Sequence, residues 1–130
     1  MSISRVHFIL YVRDQAASTR FYRAVLLADP TLDVPGMTEL PLPGGAVLGL
    51  MPETGAARLL GPLHDPSRAA GVPRAELYLV VDDPTPYHAR CLTAGAREVS
   101  PISPRDWGHD AGYLLDPDGY VISFARASVT

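Results

Sequence analysis

His7-Phe8-Ile9-Leu10-Tyr11-Val12-Arg13-Asp14 is the stretch on which the fold turns. Val6 to Val12 is rich in β-branched and aromatic residues and ends at a polar pair, so it reads as a buried strand followed by a turn, with Asp14 placed as a helix cap. Behind it, Ala17, Phe21, Ala24, Val25 and Leu27 recur at helical spacing and predict a helix from about Gln15 to Leu27, which Asp29-Pro30 stops.

Three short apolar runs come next, Thr31 to Val34, Met37 to Leu42 and Ala46 to Met51, separated by Pro35-Gly36 and Pro43-Gly44-Gly45. That punctuation suits antiparallel strands. From Pro52 to Pro73 the pattern dissolves into Gly, Pro, Ala and Arg, with one short helical turn near Ala56 to Leu60. Ala75 to Val81 then gives a second buried strand that closes on Asp82-Asp83. A helix follows from about Thr85 to Ala94, with Gly95 as its C-cap, and Arg97 to Ile102, Gly112 to Leu115 and Tyr120 to Arg126 complete the strands. Asp116-Pro117-Asp118-Gly119 is the turn between the last two.

The two halves share one order of elements, strand, helix, strand, strand, strand. Laying the first strands on each other pairs His7 with Glu76, Leu10 with Leu79, Val12 with Val81 and Asp14 with Asp83; the fourth strands pair Gly45 with Gly119, Val47 with Val121, Leu48 with Ile122 and Gly49 with Ser123. The expectation is an α+β chain of two tandem βαβββ modules, about 4–52 and 74–127, joined by a connection at about 53–73 and making one domain over 1–130.

The 130 residues, 47% apolar and 19% charged, suffice for one hydrophobic core and exclude a disordered tail. A net charge of -3 gives no footprint for nucleic acid or anionic membrane. All basic side chains are arginine, which excludes a lysine Schiff base or a Walker lysine. The one cysteine, Cys91, excludes an intrachain disulfide, a Cys-x-x-Cys pair and a multi-thiolate zinc site. No signal-peptide core precedes the first strand and no apolar run nears the roughly 18 residues of a membrane span, so the expectation is a cytoplasmic protein. The arginine, alanine and proline bias resembles that of a GC-rich bacterial genome.

His7 to Asp14 followed by Ser18-x-x-Phe21-Tyr22 and Val25-Leu26, and Asp116-Pro117-Asp118-Gly119-Tyr120-Val121-Ile122 with Trp107-Gly108 upstream, resemble the opening and closing signatures of the vicinal oxygen chelate superfamily of glyoxalase, bleomycin-resistance and dioxygenase proteins. The resemblance implies βαβββ modules whose mixed sheets curl into a cup, commonly completed by dimerisation. It also places metal ligands at the start of the first strand and the middle of the fourth strand of each module. Those positions here are His7, Gly49, Glu76 and Ser123. Only two of the four coordinate well, where a catalytic cation usually has at least three protein ligands. No cofactor is therefore expected; a divalent metal on His7 and Glu76 is the weaker alternative.

Strand alternation places Ile9 and Tyr11 on the face of His7, Tyr78 and Val80 on that of Glu76, and Val47, Gly49, Met51, Val121, Ser123 and Ala125 on the matching faces of the fourth strands. The opposite faces, with Phe8, Leu10, Val12, Leu77, Leu79, Leu48, Leu50, Ile122 and Phe124, are apolar and should pack under the helices. A mostly apolar cup with a few polar groups suits a small-molecule ligand. His7 and Glu76 are an acid–base pair or two polar residues that satisfy each other. Trp107, with Arg105, Asp106 and His109, closes over a ligand, covers a sheet edge or meets a second subunit. Arg58, His64 and Arg68 belong to a lid over an anion or to a solvated link. Cys91 reads as a small buried residue, Tyr22 as helix packing, Met37 and Met51 as core filler or pocket lining, and His88 as lying on the solvated face of its helix.

Two function classes remain: a metal-independent, homodimeric binder of a small, largely apolar ligand, and a glyoxalase-like lyase or isomerase, or a dioxygenase, with a degenerate metal site or a His7/Glu76 acid–base pair.

Overall fold

The computed structural model describes residues 2–129. Its contacts divide the chain between Ala70 and Gly71 into two units. The first contains β1 (His7–Val12), α1 (Gln15–Leu26), β2 (Leu32–Val34), β3 (Met37–Pro41), β4 (Val47–Pro52) and α2 (Glu53–Leu60), followed by two single 3-10 turns, Pro62–His64 and Pro66–Arg68. The second contains β5 (Glu76–Val80), α3 (Pro84–Thr93), β6 (Arg97–Pro104), β7 (His109–Leu115) and β8 (Val121–Ala127).

Each unit is a four-stranded mixed sheet of the same topology, β1-β4-β3-β2 and β5-β8-β7-β6. The first and last strands of each run parallel and the other neighbours antiparallel. His7 stands beside Val47 and Glu76 beside Val121, Ile9 beside Gly49 and Tyr78 beside Ser123, so the internal match read from the sequence holds residue by residue. The paired aspartates do the same work: Asp14 Oδ1 accepts from Ala17 N at 3.0 Å, and Asp83 Oδ1 from Thr85 N at 3.1 Å, each capping a helix N-terminus.

In the first unit α1 buries Phe21, Tyr22 and Val25 against Leu40, Leu48 and Leu50. In the second, α3 packs on β6, β7 and β8, over Leu114, Ile122 and Phe124. These are the apolar faces that alternation assigns to the helices, with one correction: Phe8 is 55% exposed. It sits on β1, the outermost strand of its sheet, beyond the reach of α1, which packs on β3 and β4. Leu77 and Leu79, on the outermost strand of the second sheet, are half-buried for the same reason.

Three further expectations change. The helix turn expected near Ala56 is a two-turn helix from Glu53 that packs on β4 and β1. Helix α1 ends at Leu26, with Leu27 in the left-handed region at φ 51°. His88 is buried rather than solvated, its Nε2 2.7 Å from Glu98 Oε1 and its ring lying over Gly112.

Polar side chains pin the hairpin of β2 and β3 to α1. Gln15 Nε2 donates to Val34 O at 2.8 Å and to Thr38 Oγ1 at 2.9 Å, while its Oε1 accepts from Gly36 N at 3.1 Å. Thr19 Oγ1 lies 3.0 Å from Thr38 Oγ1, which donates to Asp33 at 3.1 Å, so the fully buried Thr38 is satisfied. In the second unit, Asp116 organises the tight turn: Oδ1 accepts from Asp118 N at 2.8 Å and from Tyr120 N at 2.9 Å, and Gly119 takes φ 87°.

Candidate functional site

The face of the first sheet opposite α1 collects His7, Ile9 and Tyr11 from β1 and Val47, Gly49 and Met51 from β4. Register adds Glu39, which sits beside Gly49 on β3. His7 Nδ1 lies 3.5 Å from Glu39 Oε2, both side chains about three-quarters buried. The carboxylate that meets His7 within its own unit is therefore Glu39, a residue the sequence reading passed over. The pairing is diagonal across β4, and linear spacing gives no sign of it.

Gly49 occupies the fourth-strand position where the resemblance implies a ligand. A Cβ there would stand 3.0 Å from Ile9 Cγ1 and 3.3 Å from Met37 Sδ. Two apolar side chains thus cover the spot where a coordinating side chain would project. Among the described residues, no three His, Cys, Asp or Glu side chains gather where they could hold a metal ion. The residues present do not fit the donor set that the resemblance implies.

In the second unit the corresponding face carries Glu76, Tyr78 and Val80 from β5, Val121, Ser123 and Ala125 from β8, and His109, Ala111 and Tyr113 from β7. Glu76 is exposed at the start of its strand. Ser123 is fully buried, and its Oγ has no partner of good hydrogen-bond geometry; its cross-strand neighbour Tyr113 offers at most a weak contact. Burial first, then the neighbouring Glu76 and Tyr78, push the Tyr113 phenol above its usual range.

Tyr78 is the centre of a polar cluster. Its hydroxyl oxygen is 2.6 Å from His109 Nδ1 and accepts from Trp107 Nε1 at 3.0 Å. The Tyr78 and His109 rings stack, with centroids 5.8 Å apart and planes 16° from parallel. Trp107 reaches the cluster from the turn between β6 and β7. Arg105 Nη2 braces that turn by donating to Ser100 Oγ, Pro101 O and Ala111 O, each at 2.8 Å. Arg105 is thus committed to structure.

Arg58, His64 and Arg68 lie on α2 and the two 3-10 turns, and Arg68 Nη1 donates to the Pro62 carbonyl at 3.5 Å. Cys91 is wholly buried on α3, and burial pushes its thiol up to about 12, as suits a packing residue. Among the described residues, no helix is long and apolar enough to cross a membrane.

The model of the Glyoxalase/Bleomycin resistance protein/Dioxygenase superfamily matches residues 4–124. No curated protein sequence matches the chain. Among solved structures, a glyoxalase-related enzyme from Fulvimarina pelagi is similar at 24% identity, covering 96% of this chain and 95% of that one with a TM-score of 0.79. An antibiotic binding protein from a Streptomyces species is similar at 26% identity, covering 98% and 99% with a TM-score of 0.72. A lactoylglutathione lyase from Agrobacterium tumefaciens is similar at 20% identity, covering 93% and 91% with a TM-score of 0.70. With the family model matched across nearly the whole chain and two β-α-β-β-β sheets of one topology, the chain belongs to the Glyoxalase/Bleomycin resistance protein/Dioxygenase superfamily.

Proposed function

We propose that this chain is a small-molecule-binding member of its superfamily that holds a largely apolar ligand on the strand faces opposite its helices, without a resident metal. The observation that carries this reading is the covering of Gly49 by Ile9 and Met37. It replaces a metal ligand with hydrocarbon and thioether, surfaces suited to apolar contact. Ser123, at the matching position of the second sheet, is a neutral hydroxyl. The likeness to an antibiotic binding protein over nearly the full length of both chains supports a binding role. The same reading makes the protein a cytoplasmic homodimer. Phe8 and Val80, exposed on the outermost strands of their sheets, are the kind of surface that association covers.

The test is elemental analysis of protein purified without chelator, joined to a screen of apolar small molecules. The expected result is no stoichiometric metal and at least one saturable ligand that is recovered unchanged. Stoichiometric zinc, nickel, iron or manganese would overturn the reading.

The ion-pair distance between His7 and Glu39 favours a second reading, in which an orienting carboxylate makes the imidazole a general base for a lyase or isomerase. Turnover of a bound compound that disappears in His7→Ala, with binding kept, would establish it.

A further inference from the structure

Helix α1 buries one stripe against its sheet and turns another to solvent. Two hollows lie along that outer flank, one of about 470 Å³ and one of about 750 Å³, and Arg20 and Arg23 line both. The smaller is completed by Ala24, Leu27, Ala28 and Asp29. Its volume falls within the range of small-molecule sites, roughly 300–1,000 Å³.

The charges of this flank do not balance. Arg23 Nη2 donates to Asp29 Oδ1 at 2.8 Å, which engages the one carboxylate of the smaller hollow. Arg20 is exposed and has no hydrogen-bond or ion-pair partner among the described residues. The larger hollow adds Arg13, Asp14 and Asp33, but Asp14 Oδ1 accepts from Ala17 N and Asp33 Oδ1 from Thr38 Oγ1, and neither aspartate pairs with Arg20. Each hollow therefore carries one more guanidinium than carboxylate, and the surplus cation is shared by both.

Leu27 is a second, independent sign. Among the described residues it is the one non-glycine with positive φ, at 51°, where glycine is unstrained and leucine is not. Its side chain is 68% exposed, so packing does little to offset that strain. Strained residues held without a packing reason gather where ligands are clamped. The exposed isobutyl group gives the hollow an apolar wall beside a cation.

We infer that this hollow binds a small amphiphilic anion, with a carboxylate or phosphate-ester head paired to the Arg20 guanidinium and a short hydrocarbon chain laid over Ala24, Leu27 and Ala28. The planar fork of a guanidinium matches either oxyanion, and the chain removes the leucine side chain from water. The site lies on the helix side of the sheet, away from the face that carries Gly49, and it does not depend on the reading proposed for that face.

The test titrates octanoate, octyl phosphate and uncharged 1-octanol into the intact protein, read by 1H–15N NMR of the assigned backbone amides. Both anions are expected to give saturable shifts over residues 20–29. The alcohol should bind about threefold to fivefold more weakly, the worth of an exposed ion pair. The tighter anion names the head group. Arg20→Gln should lower octanoate to the level of 1-octanol. Leu27→Gly should weaken both severalfold while Tm rises, a combination that a merely structural leucine would not give. Absence of saturable shifts over 20–29 below the critical micelle concentration of each anion overturns the proposal. So does equal binding of the alcohol and the anions, or an unchanged octanoate affinity in Arg20→Gln. Shifts confined to the strand residues around Gly49 would overturn this site while supporting the ligand-binding reading of that face.

Discussion

His7 and Glu39 meet across a strand that belongs to neither of them. The Nδ1 to Oε2 distance is 3.5 Å, and the two residues face each other diagonally because one sits beside Val47 and the other beside Gly49 on the intervening β4. The side chains keep 28% and 22% of their exposure, so water screens the pair and its stabilising effect is modest. Glu39→Gln is expected to cost less than about 1 kcal/mol by urea unfolding at pH 7. A loss well above that would mark the pair as a folding determinant rather than a chemical one.

Gly112 faces a harder constraint. A Cβ there would lie 2.6 Å from His88 Nδ1 and 2.8 Å from Ile102 Cγ1. His88 cannot swing away without breaking its 2.7 Å contact with Glu98. Gly112→Ala should therefore destabilise by about 2–3 kcal/mol, the overpacking range, measured as a lower urea midpoint with an unchanged slope.

The strands, caps and internal match were legible because each depends on residues adjacent in sequence or on a pattern that repeats. Asp14 and Asp83 cap helices because they precede them, and Asp116 builds its turn from the next four residues. Glu39, Gln15 and His88 were not legible, since their partners are set by register and by the angle at which a helix crosses a sheet. Alternation placed Phe8 on the correct face but carries no information on whether a strand lies at the sheet edge, and that decides its exposure.

Gln15 carries three hydrogen bonds to the β2–β3 hairpin, and its first-turn position on α1 makes it the clamp between the two. Gln15→Ala should cost about 1–2 kcal/mol. Amide exchange should rise selectively over residues 33–38, with α3 and its sheet unaffected.

Leu27 holds a left-handed backbone conformation that glycine adopts without strain, and its side chain is 68% exposed, so little packing is at stake. Leu27→Gly is expected to raise stability by a few tenths to about 1 kcal/mol, seen as a higher Tm. A lower Tm would mean that the leucine contributes contacts that outweigh its backbone.

Cys91 sets an alkaline limit. Its folded thiol is pushed up to about 12 from 9.0, so the native chain holds a proton that the unfolded chain releases. The stabilisation is complete below pH 9 and lost as pH climbs toward 12, with a slope of up to about 1.4 kcal/mol per pH unit. In Cys91→Ala the curve of stability against pH should be flatter over that window. At pH 8 the native thiol should resist Ellman's reagent until denaturant is added.

The parallel pairing of first with last strand fixes an order of assembly. A hairpin such as β3–β4 or β7–β8 needs only a short loop to close, whereas β1 must wait for β4, and β5 for β8, across the whole length of a unit. Loop-closure entropy favours the hairpins first and the opening strands last. The strand bearing His7 is thus the closing piece of its sheet, and during synthesis the histidine can find Glu39 only after the chain has been made through β4. A truncation that removes β1 would leave the hairpins able to pair, yet would take away the imidazole and bare the flank of β4 at once.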